Sequence, residues 1–163
     1  MSIVQCYAPT ENADLDEKEA FYSLLDKTLI GIKRSDITVM MGDFNAQVGN
    51  NNQDIEHIMG RYGMPCDKEN ENGQLLIELC GKHGLVIGGT VFPHKEGHKV
   101  TWISPDKDKQ RRNQIDHICI KPELEKIIIR CPEQEIGRYW VRPSRDHGNT
   151  QDQDTEGYKE DYK

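Results

Sequence analysis

The stretch "DITVMMGDFN", residues 36–45, is the strongest constraint on how this chain can fold. In residues 36–41 apolar side chains fall on both faces of an extended backbone, which suits a strand covered by a layer on each side. The run stops at Gly42, and an acid, an aromatic and an amide follow at once. Ahead of it, residues 14–32 place apolar side chains at positions 21, 24, 25, 28/29 and 32, the spacing of one helical face. Acids crowd the first turns of that segment, as the helix dipole favours. "SIVQCY" at residues 2–7 is β-prone and is closed by the turn-forming pair Ala8-Pro9. The order is therefore strand, helix, buried strand.

The second half continues the pattern. Residues 47–72 are polar and rich in Asn and Gly, and read as a long surface loop, functional or mobile. A helix is expected from Asn72-Gly73, with Leu75, Leu76, Leu79 and Cys80 facing inward and Gly84 as its C-cap. Residues 85–92, 99–104 and 114–120 read as three more strands, followed by a short helix at "PELEKI" and the apolar "IIIRC". No internal repeat is visible. This order predicts a layered α/β domain, with antiparallel pairs late in the chain where no helical crossover separates the strands.

Composition sharpens what the site can be. The 163 residues carry a formal net charge of −7, which disfavours tight nonspecific binding to a phosphate polymer but leaves a small phosphate site open. No run approaches 18 apolar residues, so no membrane span is expected, and the N-terminus has no secretory pattern. Five scattered cysteines, odd in number and never in C-x-x-C, point to free thiols in a reducing, intracellular compartment, nucleus and cytoplasm being left open.

The candidate chemistry sits at strand ends. Asp43 and Asn45 are two apart, so an extended backbone aims both the same way. A carboxylate and an amide placed so can orient a water molecule; alternatively they form an Asx-turn that satisfies local N–H groups. Asp116 shares a strand face with Ile118 and Ile120 and so needs a donor nearby, catalytic or structural. His117, on the opposite face, reads as a packed core histidine. Tyr7 ends the first strand, where its hydroxyl can reach a phosphate or its ring can pack in the core. His94 and His98, and Cys80 and His83, are spaced like metal ligands, but no second pair completes a tetrahedral site and no metal ligand is assigned. The sequence has no P-loop, no G-x-G-x-x-G and no G-x-S-x-G.

Taken in order, Y-x-P (residues 7–9), G-D-F-N (42–45), N-G-x-L-L (72–76), T-W (101–102) and Q-I-D-H-I (114–118) resemble the endonuclease/exonuclease/phosphatase superfamily. More narrowly they look like the endonuclease domains of RTE-type non-LTR retrotransposons. The resemblance implies a four-layer α/β sandwich, two packed mixed sheets flanked by helices, whose chemistry is Mg²⁺-dependent hydrolysis of DNA or another phosphodiester. By the same resemblance Asp43 aligns or deprotonates the attacking water, Asn45 holds the phosphate, Asp116 bonds a catalytic histidine, Tyr7 contacts the phosphate and Trp102 lies beside the substrate.

The family's Mg²⁺-ligating Glu belongs to strands ahead of Tyr7. With Tyr7 six residues from Met1, the resemblance implies an N-terminally truncated domain, with weak or lost activity, or else a non-catalytic remnant or binding module. Such a domain is expected to self-associate through exposed sheet edges. Residues 1–131 are assigned to the partial domain and 132–163 to a divergent, disordered tail. That tail holds Asp146-His147, where the family has a Ser-Asp-His motif before a last strand. A one-base frame shift across codons 140–163 can restore Ser-Asp-His-His and an alternating strand, which would make His147 a mimic of the family histidine. The other reading is a genuinely divergent tail.

Overall fold

The computed structural model describes residues 1–105 and 111–122. The tail, the 131/132 boundary and His147 lie outside the described residues.

Six strands and three helices are found among them. β1 (Ser2–Tyr7) leads through α1 (Leu15–Ile30) to β2 (Thr38–Asp43). After a long connection come α2 (Glu71–His83), β3 (Val86–Ile87), a 3₁₀ turn at Gly88–Thr90, and the single-turn helix α3 (Glu96–Lys99). β4 (Trp102–Ile103), β5 (Arg112–Asn113) and β6 (Asp116–Ile120) complete the set. The four-stranded sheet has the order β1-β2-β6-β3, and β4-β5 form a separate hairpin. β1 and β2 run parallel across the α1 crossover, while β2-β6, β3-β6 and β4-β5 are antiparallel, as the missing late crossovers required.

One face of the sheet carries Cys6, Met40 and Cys119 into a core shared with Tyr22, Leu25 and Leu29 of α1 and Leu76, Leu79 and Cys80 of α2. The other face is more open at β1, where Ile3 is 59% and Tyr7 67% exposed. β1 and β2 approach so closely that a Cβ on Gly42 would run into the Cys6 carbonyl, and Gly42 also has φ +146°. No other residue type satisfies both demands.

Several expectations need correcting. The buried stripe of α1 is Lys18, Tyr22, Leu25 and Leu29, while Leu24 is 63% exposed. The Lys18 ammonium is buried because Glu71 Oε2, at 2.6 Å, and the Glu11 carbonyl, at 2.9 Å, receive it. The segment 47–72 is polar in composition but anchored: Val48, Ile58 and Met59 are buried. Its backbone is tied to the 3₁₀ turn through Gly60 N–H to Thr90 Oγ1 and Tyr62 N–H to the Thr90 carbonyl. Finally, residues 85–92 form only a two-residue strand before the chain coils at Gly88, and β4 is equally short.

α2 also starts earlier than Asn72. Asn70 is its N-cap, accepting from Gly73 N–H at 2.8 Å, and Gly84 closes it in the left-handed conformation at φ 60°.

Candidate active site

Three of the residues singled out from sequence stand level across three strands. Tyr7 is in register with Asp43, and Asp43 with Asp116. Registered neighbours project to the same face, so the phenol and the two carboxylates form one row at the end of the sheet. Phe44 N–H donates to the Ile115 carbonyl at 3.0 Å, one position along. The Asp43–Asp116 pair is therefore of the type without mutual backbone bonds, in which opposed side chains come closest.

Asp43 is nearly buried and Asp116 half-buried, whereas Tyr7 faces solvent. The start of β6 is fixed by Thr101, whose hydroxyl accepts from Ile115 N–H at 3.0 Å and Asp116 N–H at 3.1 Å. Trp102 follows directly on β4, paired with Asn113 and 38% exposed. The hairpin bearing Trp102, Arg111 and Arg112 is thus attached beside the carboxylate row.

Asn45 reaches this end of the sheet through the Asx-turn, the second of the two readings its spacing from Asp43 allowed. Its φ is +48°, so the backbone is not extended there. Its N–H donates to Asp43 Oδ1 at 3.0 Å, the local bond of an Asx-turn, and its Nδ2 donates to the Ala8 carbonyl at 2.9 Å. The left-handed kink therefore turns the Asn45 amide toward the segment that follows Tyr7.

His117 is a core residue, as its strand position suggested. It is 2% exposed, with Nε2 2.8 Å from the Ala46 carbonyl. Burial pushes its imidazole below the ordinary histidine range, against the opposing influence of that carbonyl and of the Asp43 charge. The bond holds the segment after β2 onto β6.

The residues that sequence reasoning overlooked are the supports. Asn72 is fully buried and its Nδ2 donates to the Pro9 carbonyl at 2.9 Å, while the Tyr22 hydroxyl donates to the Asn72 carbonyl. Asn70 bonds the Asn45 carbonyl and the Gln47 N–H. An Asn just ahead of an apolar-periodic run is an N-cap signal, and it would have identified Asn70 as the helix start; its partners lie too far away in sequence to be read. Among the described residues no group of three or more His, Cys, Asp and Glu could hold a metal ion, and no helix is long and apolar enough to cross a membrane.

This mixed α/β sheet, covered by a βαβ helix and carrying an acid row at its end, has the endonuclease/exonuclease/phosphatase fold. Solved structures of this fold that resemble the chain include the 3′-5′ exonuclease NExo from Neisseria meningitidis. It has a TM-score of 0.52 and 17% identity, over 76% of this chain and 50% of that one. The 3′ phosphatase NExo from Neisseria bound to a product DNA hairpin has a TM-score of 0.51 and 16% identity, over 76% and 49%. In sequence, the chain is similar to craniofacial development protein 2 of Bos taurus, 39% identical over 118 residues, and to that of Tragulus javanicus, 37% identical over 118 residues. These matches cover 72% of this chain but 19% and 20% of the relatives, so the chain spans about a fifth of their length. No protein-family model matches.

Proposed function

We propose that the row Tyr7–Asp43–Asp116, with Asn45 beside it, is the phosphate-handling end of a metal-dependent phosphodiesterase site whose substrate is DNA. The observation that carries this reading is the register of the three residues across β1, β2 and β6. On it, Asp43 accepts the proton of the attacking water or fixes its orientation, and Asn45 and Tyr7 hold the phosphate oxygens. Trp102 and the neighbouring Arg111 and Arg112 offer an exposed aromatic and positive charge to the nucleic acid on the adjoining hairpin.

Two carboxylates opposed across one strand pair are hard oxygen donors of the kind Mg²⁺ takes, one or two at a time, with water and substrate phosphate completing its shell. Asp43 and Asp116 would be the protein side of such a site, and the ion would supply charge neutralisation at the phosphate. The resemblance of the motif order to retrotransposon endonuclease domains supports DNA as the substrate class.

Asn45 favours a second reading, a non-catalytic binding module of the same fold. Its N–H and one side-chain N–H both serve the turn, as in a purely structural Asx pair. In either reading β1, the outer strand of the described sheet, offers an edge through which copies could associate.

The test is plasmid nicking with Mg²⁺, comparing the chain with Asp43→Ala. The phosphodiesterase reading expects nicking that falls at least ~10²-fold in the variant. Equal rates would remove Asp43 from the chemistry and leave the binding module.

A further inference from the structure

Asn70 uses its whole side-chain amide. Oδ1 accepts from Gln47 N–H and Gly73 N–H, both at 2.8 Å. Nδ2 donates to Glu11 Oε2 and to the Asn45 carbonyl, again both at 2.8 Å. An amide has two acceptor and two donor positions, and all four are filled. Capping α2 needs one of them. The other three reach out of the helix, two to the backbone on either side of Ala46 and one to the segment after β1.

The place they reach is an irregular point of the site. Asn45 sits at φ +48°, in the small left-handed region that an L-residue occupies only at some cost and that Asn tolerates better than most. A conformation of that kind persists when the surroundings over-determine it. Here Asp43 Oδ1 holds the Asn45 N–H, the Ala8 carbonyl holds its side-chain amide, and Asn70 holds the Asn45 carbonyl and the Gln47 N–H. α2 in turn lies so close to this turn that a Cβ on Gly73 would meet the Gln47 carbonyl. Lys18 fixes the other end of the clasp. Buried on α1, its ammonium joins Glu71, the first residue of α2, to the Glu11 carbonyl.

We infer that Asn70 is a positioning residue that sets the orientation of Asn45, holding its turn to the N-terminus of α2 as a clasp separate from the helix cap. This rests on the phosphodiesterase reading for its consequence in turnover, but not for the clasp itself. The chemistry makes a division: a residue that caps α2 without donating to Asn45 keeps the helix and frees the turn.

Two substitutions make that division in the full chain. Asn70→Ser keeps a cap oxygen but, being shorter, loses the bond from Gln47 N–H and both amide donations. Asn70→Asp keeps both acceptor bonds in an isosteric frame and also loses both donations. Amide exchange by NMR reads Gly73 as the cap and the Asn45 side-chain amide and Gln47 N–H as the clasp, alongside the thermal midpoint. The expected result for Asn70→Ser is Gly73 protection and a midpoint close to wild type, with exchange at the Asn45 side chain and at Gln47 faster by ~10-fold or more. Asn70→Asp should release the Asn45 side chain while Gln47 stays protected.

Unchanged Asn45 exchange in the two variants would overturn the inference. So would loss of Gly73 and Asn45 protection together in both, since Asn70 would then be a cap alone. In nicking assays the folded variants should lose kcat at least ~10-fold with KM little changed, because the phosphate site remains but its amide is misdirected. Wild-type turnover in a folded variant that has lost Asn45 protection would also overturn it. If the wild-type chain does not nick, the phosphodiesterase reading fails and the exchange data alone decide the clasp.

Discussion

Asp43 and Asp116 stand directly opposite one another across β2 and β6, each at the end of its strand. On the phosphodiesterase reading proposed above, this end of the strand pair is where a phosphate-bound cation would be received. Asp116→Asn removes one charge and keeps the shape. It is expected to lower Mg²⁺-dependent nicking by ~10²-fold or more, while circular dichroism shows an unchanged fold.

Gly42→Ala tests the strand pair that carries Asp43. The added methyl meets the Cys6 carbonyl, and the residue must hold φ +146°. The expected cost is about 3 kcal/mol or more, read as a drop in urea midpoint. A loss below about 1 kcal/mol would mean that β1 and β2 can separate there without harm.

Lys18 is buried while its partner Glu71 is half exposed, so the two ends of this pair are not equivalent. Lys18→Ala removes buried volume and the ammonium together and should cost about 2–4 kcal/mol. Lys18→Met keeps the volume and leaves Glu71 able to hydrate, so its cost should be about 1–2 kcal/mol. Chemical denaturation of the two variants orders them; equal losses would show that the charge, not the packing, sets the contribution.

The imidazole of His117 is held below its ordinary value by burial. Above the unfolded pKa of about 6.5 it is neutral in both states, and its contribution is fully present. As pH falls below 6.5 the unfolded chain takes up a proton that the folded chain refuses, so stability declines until the folded pKa is passed. The slope from this one group is at most about 1.4 kcal/mol per pH unit. Urea midpoints at pH 7, 6 and 5 should fall for the wild-type chain and fall less steeply for His117→Gln.

Thiol reactivity should follow burial. Desolvation pushes Cys6 up to about 12, and Cys119 is raised by its contact with Cys80 and by burial. Cys66 is partly exposed and raised by burial and by the nearby acids Glu69 and Asp67. Iodoacetamide at pH 8 in native buffer is expected to modify Cys66 well before Cys6, Cys80 or Cys119, as peptide mass mapping would show. Early modification of Cys119 would mean that β6 leaves the core readily.

Local chemistry made a good part of this legible from the residues alone. Gly and Pro punctuation marked the ends of β1 and α2, the acid-rich first turn marked α1, and the unbroken apolar run marked β2 as covered, because each signal acts within a few residues. The same locality placed Tyr7, Asp43 and Asp116 at strand termini. What the sequence could not state was that these termini are level, since register depends on which strands become neighbours. Nor could it show that Lys18 rather than Leu24 turns inward, because that depends on Glu71, 53 positions along the chain, arriving to receive the ammonium. Asn45 is the sharpest case. Its spacing from Asp43 allowed either a parallel aim or an Asx-turn, and the tertiary structure decided between them: Ala8 and Asn70, drawn from two distant segments, hold it in the left-handed turn that the local Asp43 bond also favours.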